Sequence, residues 1–170
     1  RENVTIHRGT IQDRALTEIG DRNLIMAYAH IGHDSTVGSD TILVNNTALA
    51  GHVEVGDWAI LSGYTLVHQF CKIGAHSFSG MGTSIGKDVP AFVTVAGSPA
   101  VAKTINAEGL RRRGFEATEI TALRRGFKIL YRQGFTLEVA LERLQTMVEE
   151  APCIQMLIGA WQQSQRGIVR

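Results

Sequence analysis

His33 and Asp34 place a base beside a carboxylate in the run Ala29–Ser35, AHIGHDS. Eighteen residues after each stand Gly51 and His52, and eighteen further on stand Gln69 and Phe70. If the chain returns to the same place every eighteen residues, His33, Asp34, Gly51, His52 and Gln69 form one patch on adjacent coils. Acyl transfer needs such a set. A base takes the proton of an attacking hydroxyl, and a backbone donor meets the oxyanion that develops. Glycine suits the donor because no side chain covers its N–H. His30 ends its hexad where it would line the same cleft, and His68 replaces the glycine usual at its slot. His7 fits either a site or a surface reading. His76 has no such company and reads as surface. Arg111-Arg112-Arg113 reads either as a solvated helix end or as a phosphate-binding run of guanidinium groups, with Asn106 and Glu108 just before it as hydrogen-bonding groups.

The elements that would position these residues are written in a six-residue period. From Ile19 to Ile85, eleven of the twelve positions at this spacing are Ile, Leu or Val, and Ser79 is the twelfth. Four places after each, the residue is small or short, from Asn23, Ala29 and Ser35 through Thr83 and Val89. The residue after the aliphatic one is Gly in seven of the twelve. Neither an α-helix nor a flat strand repeats every six residues. A hexapeptide β-helix does, with three short strands and three turns per eighteen-residue coil. Stacked coils then lie about 4.8 Å apart, as neighbouring strands do.

Composition agrees. The 170 residues are 44% hydrophobic but only 6% aromatic, which suits a solenoid filled by aliphatic and small side chains, and the eighteen glycines are expected to mark its corners. Cys71 falls in an inward slot and reads as a buried thiol, so a disulfide framework is not expected. No signal peptide or bilayer-spanning apolar run is seen, and a cytoplasmic protein without stable membrane insertion is expected. Residues 1–100 carry six Lys/Arg against nine Asp/Glu, whereas 101–170 carry eleven against seven. The basic second part points to an anionic partner. Nucleic acid is disfavoured, since stacking aromatics are few.

Residues 1–9 read as a strand region and 10–18 as an excursion loop, with the unbroken repeat over 19–90. Asp88-Val89-Pro90 and Gly97-Ser98-Pro99 are expected to end it, because proline removes a ladder donor. A solenoid at 1–100 and a helical domain at 101–170 follow. A helix over 117–133 puts Ile120, Leu123, Phe127, Leu130 and Tyr131 on one face. Gly134 closes it, Thr136 caps the next helix with Leu137, Ala140, Leu141 and Leu144 inward, and Pro152 opens a last short one. A chain that starts in strand sequence without a cap is expected to lack earlier coils.

The segments VTIHRGT, NLIMAYAHIGHDS, LVNNTALAGHV, TLVHQFCKIGAHSFSGMG and NAEGLRRRGF together resemble the bacterial UDP-N-acetylglucosamine 3-O-acyltransferases of lipid A synthesis. The resemblance covers the whole chain to its closing RGIVR. It implies a left-handed parallel β-helix with a helical C-terminal domain, working as a homotrimer with clefts between subunits. It implies transfer of an R-3-hydroxyacyl chain from acyl carrier protein to the 3-hydroxyl of UDP-N-acetylglucosamine, with no cofactor or metal beyond the carrier's phosphopantetheine. By resemblance His33 is the general base, Asp34 its orienting carboxylate and Gly51 the oxyanion donor. His30, His52 and His68 would line the cleft, with Gln69 at the sugar and acyl region, and Asn106, Glu108, Arg112 and Arg113 would form the nucleotide end. His7 is counted with the substrate-binding residues. Met81 falls along the implied acyl groove where some relatives have Gly, so a chain of about ten carbons is expected there, a methylene being worth roughly 1–3 kcal/mol. Two other readings of the pattern stand beside this one. One is a zinc hydratase using His30, His33, His52 and His68, and the other a non-catalytic trimerisation scaffold.

Overall fold

The computed structural model describes residues 1–12 and 14–170. Thirteen two-residue strands follow the hexads: β1 (Thr5–Ile6), β2 (Glu18–Ile19), β3 (Leu24–Ile25), β4 (His30–Ile31), β5 (Thr36–Val37), β6 (Ile42–Leu43), β7 (Ala48–Leu49), β8 (Glu54–Val55), β9 (Ile60–Leu61), β10 (Leu66–Val67), β11 (Lys72–Ile73), β12 (Phe78–Ser79) and β13 (Ser84–Ile85). They sort into three parallel sheets that wall a triangular prism. One holds β1, β4, β7, β10 and β13, the second β2, β5, β8 and β11, and the third β3, β6, β9 and β12. The register His30↔Ala48↔Leu66↔Ser84 makes the coil eighteen residues long, as the period requires.

The aliphatic positions from Ile31 to Ile85 fill the axis and are essentially buried, as is Ser79. The short residues Ala29, Ser35, Thr41, Thr47, Val53, Ala59, Thr65, Cys71, Ser77, Thr83 and Val89 occupy the inner corners. Buried hydroxyls there bond to the coil stack, as Thr65 Oγ1 does to Ser79 Oγ at 2.7 Å. Ser79 thus belongs to the repeat because it answers a polar neighbour.

The turn chemistry differs from the expectation that glycine marks the bends. The bend falls on the third residue after the aliphatic one, which takes a left-handed backbone with φ from +55° to +64° at Arg22, Tyr28, Asp34, Asp40, Asn46, His52, Trp58, Tyr64, Phe70 and His76. This conformation costs an L-residue roughly 1–2 kcal/mol. At most of these bends the N–H bonds to a carbonyl of the coil before, for example His52 N–H to His33 O at 2.9 Å, and Asp34 N–H bonds to Thr17 Oγ1. The glycines after the aliphatic residue have ordinary φ, and Gly20, Gly32, Gly38, Gly56 and Gly74 serve close approach instead. A Cβ on Gly74 would lie 2.2 Å from Ala91 N, and one on Gly32 2.5 Å from Ala50 C.

The solenoid runs past Pro90. β14 (Val93–Ala96) adds to the third sheet with Phe78↔Thr94 in register, sixteen residues apart, so this coil is two residues short. β15 (Val101–Ile105) then pairs antiparallel with β14. Four helices follow: α1 (Ala107–Arg112), α2 (Ala117–Tyr131), α3 (Leu137–Gln145) and α4 (Ile154–Gln162). α2 buries Ile120, Leu123 and Phe127 on the expected face. Thr136 caps α3, accepting from Val139 N–H, and Ala140 and Leu144 turn inward as expected, although Leu137 is exposed.

Gly74→Ala drives a Cβ into rigid backbone and is expected to lower stability by about 1–3 kcal/mol. Gly86→Ala meets nothing within 4 Å and should stay within about 0.5 kcal/mol of the parent. Equal urea midpoints for the two variants would contradict the close-approach account.

Candidate active site

β1 and β4 are twenty-five residues apart in register instead of eighteen, so the first coil carries seven extra residues. They form the excursion loop between β1 and β2, and it leaves the prism at the edge that carries His33. Asp13, within it, lies outside the described residues. Gly9 makes the neck: a Cβ there would stand 1.9 Å from Leu16 N. Both ends of the loop grip Asp34. Thr10 N–H is 3.0 Å from each carboxylate oxygen, Thr10 Oγ1–H donates to Oδ2 at 2.7 Å, and Thr17 Oγ1 accepts from Asp34 N–H at 3.0 Å.

The Asp34 side chain is wholly buried. Burial alone would push its carboxyl up. The hydrogen bonds from His33 and from the Thr10 hydroxyl and N–H outweigh this and, with nearby His52, hold it at about 2. Asp34 Oδ2 also lies 2.8 Å from His33 Nδ1. An ionised carboxylate only accepts, so Nδ1 carries a proton, and in the neutral ring the lone pair is on Nε2. The imidazole lies against the next coil, where a Cβ on residue 51 would be 2.7 Å from both Cε1 and Nε2. Glycine at 51 therefore does more than uncover an amide: it makes room for the ring. Among the described residues no acceptor is within hydrogen-bond range of the Gly51 N–H.

The expected patch is thus assembled. His52 meets the His33 ring edge-on at 4.9 Å and stacks on Phe70 at 4.5 Å. His68 and Gln69 stand exposed on the following coil at the same edge. His30 lies one strand away, its Nδ1 2.8 Å from Thr5 Oγ1 and its ring 4.7 Å from that of His7. Burial, then the neighbouring His7, lowers the His30 pKa. Met81 is 81% exposed and so is not packed into the solenoid of its own chain.

A zinc reading fits this donor set poorly. His33, Asp34 and His52 bring ligand atoms within 4.8 Å of one another, without His30 or His68. Both Asp34 oxygens and His33 Nδ1 are already spent on one another and on Thr10.

The residues expected at a nucleotide end sit at another edge of the prism, between the second and third sheets. Asn106 caps α1 there: Oδ1 accepts from Gly109 N–H at 3.1 Å and Nδ2 donates to His76 O at 3.0 Å. Glu108 pairs with Arg111 and with Arg112, the latter at 2.9 Å. Arg113 is half-buried over the Trp58 ring at 5.3 Å and donates to His76 Nδ1 at 3.2 Å. His76 is not the surface residue its isolation in the sequence implies. It lies in a stack with Trp58 and Phe92 and edge-on to Phe115. Burial, then Arg113, lowers its pKa to about 4, so the ring is neutral and can accept. Phe115 and Arg113 come from the α1–α2 segment, which the period does not predict.

Thr10, Thr17 and Arg14 were not legible as site residues. The break in the period at 10–18 is visible, but nothing in it says which carboxylate the loop reaches. Arg14 donates to Thr36 Oγ1 at 2.8 Å and pairs with Glu18. With Asp34, His52, Glu54, Phe70, Lys72, Gln165 and Arg166 it bounds a cleft of about 460 Å³.

A stack of hexapeptide coils with a polarised histidine at one edge and a helical C-terminal unit defines the hexapeptide-repeat transferase class. Residues 16–51 match the bacterial transferase hexapeptide repeat, and 88–169 match the second domain of UDP-N-acetylglucosamine O-acyltransferase. The chain is 66% identical over all 170 residues to the acyl-(acyl-carrier-protein)–UDP-N-acetylglucosamine O-acyltransferase of Pseudomonas entomophila (strain L48), of which it spans 66%. It superposes on the UDP-N-acetylglucosamine O-acyltransferase of Moraxella catarrhalis with a TM-score of 0.96 at 45% identity, covering 98% of this chain and 65% of that one. With the UDP-N-acetylglucosamine acyltransferase of Campylobacter jejuni the TM-score is 0.86 at 35% identity, covering 99% and 69%. The chain belongs to the UDP-N-acetylglucosamine O-acyltransferase family, and its solenoid is a left-handed parallel β-helix followed by C-terminal helices. That hand runs against the usual right-handed crossover. Among the described residues no helix is long and apolar enough to cross a membrane.

Thr10→Val deletes one charge-assisted hydrogen bond to Asp34 and keeps the backbone ones. The Asp34 pKa is expected to rise from about 2 toward the ordinary carboxylate range. Since a depressed carboxylate stabilises the fold above its unfolded pKa and loses this as pH falls through the folded one, acid unfolding should begin at higher pH in the variant. Carboxyl-carbon titration by NMR reads the shift, and an unmoved midpoint contradicts the clamp.

Proposed function

We propose that the protein carrying this chain transfers an R-3-hydroxyacyl group from acyl carrier protein to the 3-hydroxyl of UDP-N-acetylglucosamine, the opening step of lipid A synthesis, in the cytoplasm. The observation that carries this reading is the His33 imidazole, bonded through Nδ1 to a buried carboxylate at 2.8 Å and laid against the glycine of the next coil. The names of the relatives support it.

In the proposed reaction His33 Nε2 takes the proton of the sugar hydroxyl as that oxygen bonds to the thioester carbon. Negative charge moves to the thioester oxygen, where the Gly51 N–H donates to it. Asp34 stabilises the imidazolium. On collapse the C–S bond breaks, Nε2 returns its proton to the departing thiolate, and the ester remains on the sugar. His7, His30, His52, His68 and Gln69 line the bound substrates.

The nucleotide end supports a homotrimer in this reading. Glu108, Arg112 and Arg113 belong to the edge between the second and third sheets, whereas His33 belongs to the edge between the first and second. One prism cannot fold its own edges together, but a neighbouring copy can lay one against the other. Asn106 contributes by setting α1. The solenoid, 1–100, carries the chemistry and the basic unit, 101–170, draws in the acidic carrier protein, an encounter that weakens with salt.

His33→Ala is expected to cut turnover by at least about 10²-fold with assembly and UDP-sugar affinity intact. Substantial residual activity would refute the assigned base. Met81 leans out into the proposed acyl groove, so Met81→Gly should shift preference from ten-carbon toward fourteen-carbon donors. Turnover of both donors by the full-length protein tests this, and an unchanged ratio ends the idea.

A further inference from the structure

The end of the chain folds back onto the last coil and is pinned there by Asp88. Asp88 Oδ2 accepts from Ser164 Oγ at 2.6 Å, its N–H donates to Gly167 O at 2.8 Å, and its carbonyl accepts from Val169 N–H at 3.0 Å. Asp88 Oδ1 in turn accepts from Lys72 N–H at 2.7 Å, and Ile168 and Val169 are buried. Arg166 stands between these anchors. Its backbone is held on both sides while its side chain is exposed and lines the cleft of Asp34, His52 and Phe70.

Three cations line that cleft, and their partners differ. Arg14 pairs with Glu18, and Lys72 pairs with Glu54 at 3.2 Å. Among the described residues no carboxylate lies within 4.0 Å of Arg166. The nearby Cys71 thiol, pushed up to about 11 by burial and by Asp88, brings no charge. The Arg166 guanidinium reaches His68 Nδ1 at 3.1 Å. That same nitrogen is 3.1 Å from Gln69 O. A guanidinium only donates, so Nδ1 must accept to serve Arg166 but donate to serve Gln69. It cannot do both, so His68 is a contested partner of Arg166, and the other group that meets the guanidinium, the Cys71 thiol, is uncharged.

A planar fork of N–H donors with no carboxylate in ion-pair range, carried on an anchored backbone to the cleft of Asp34 and His52, has the geometry of a phosphate site. We propose that Arg166 anchors a phosphate-binding subsite at the side of the cleft closed by the C-terminal arm. The identity of its ligand rests on the acyl-transfer reading, which brings two phosphates of this chemistry: the 4′-phosphate of the carrier's pantetheine arm and the diphosphate of the nucleotide.

Calorimetry on the full-length protein separates them, using acyl-pantetheine with and without its 4′-phosphate, and UDP against uridine. In the parent protein at least one phosphorylated ligand is expected to bind more tightly than its unphosphorylated partner. Arg166→Gln should remove about tenfold or more of that advantage and leave the unphosphorylated ligand unchanged, and Arg166→Lys should restore part of it. Loss confined to the pantetheine pair assigns the subsite to the carrier arm, and loss confined to UDP assigns it to the nucleotide. An unchanged phosphate advantage in an Arg166→Gln protein with the parent's thermal midpoint overturns the proposal. Turnover is measured separately: a parent protein that keeps the phosphate advantage but transfers no acyl group would sink the reaction and leave the subsite standing.

Discussion

The eighteen-residue register is the constraint on which the rest of the molecule depends. Between the regular coils, the backbone hydrogen bonds, the aliphatic contacts on the axis and the bend stacks require residue i to lie beneath residue i+18. A one-residue slip would turn the axial aliphatics outward. It would also break the bend pairing in which the left-handed residue donates to the carbonyl of the preceding coil. The bends then become columns: His52 on Phe70, and Trp58, His76 and Phe92 along another edge. A side chain placed at a bend is held in position by its neighbour one coil away.

The edge that carries His33 uses this rigidity and breaks the repeat once. An ionised carboxylate with no exposed side-chain surface is costly unless its acceptor sites are filled. The solenoid alone cannot fill them, since the axis offers hydrocarbon and the adjacent bend offers another ring. The seven-residue insertion in the first coil supplies the missing donors through Thr10 and holds the Asp34 backbone through Thr17. The histidine is in this way oriented by a carboxylate that is itself oriented, and both groups sit on backbone fixed by the coil stack.

A second departure from the repeat lies at the other end. There the coil shortens by two residues, β15 turns back antiparallel, and the helices dock. His76 shows how that junction is built. From within the bend column it accepts from Arg113, which follows α1, and Asn106 ties the start of α1 to the His76 carbonyl. The C-terminal arm returns across Asp88 and carries Arg166 to the edge where the loop of the first coil had left. Both departures from the six-residue rule therefore converge on one cleft.

Much of this was legible in the residues. The period set the solenoid, its inward positions and the coil length, because a side chain that repeats with the coil must face the same way each time. The same arithmetic put His33 under Gly51 and Asp34 under His52. Helix punctuation was legible too, in Gly134 and Thr136, since caps act within a few residues. The sequence alone could not tell which hexad position bends, because ten different bends accept residues as unlike as Arg, Asn and Trp once a hydrogen bond to the next coil offsets the strain. Nor did it show that Thr10 reaches Asp34, that His76 is enclosed, or that Arg166 arrives at the cleft from the far end of the chain. Those depend on where a loop, a helix and a terminal arm come to rest against the coils. Contacts between segments so far apart in the chain leave no periodic trace, so only the packed structure decides them.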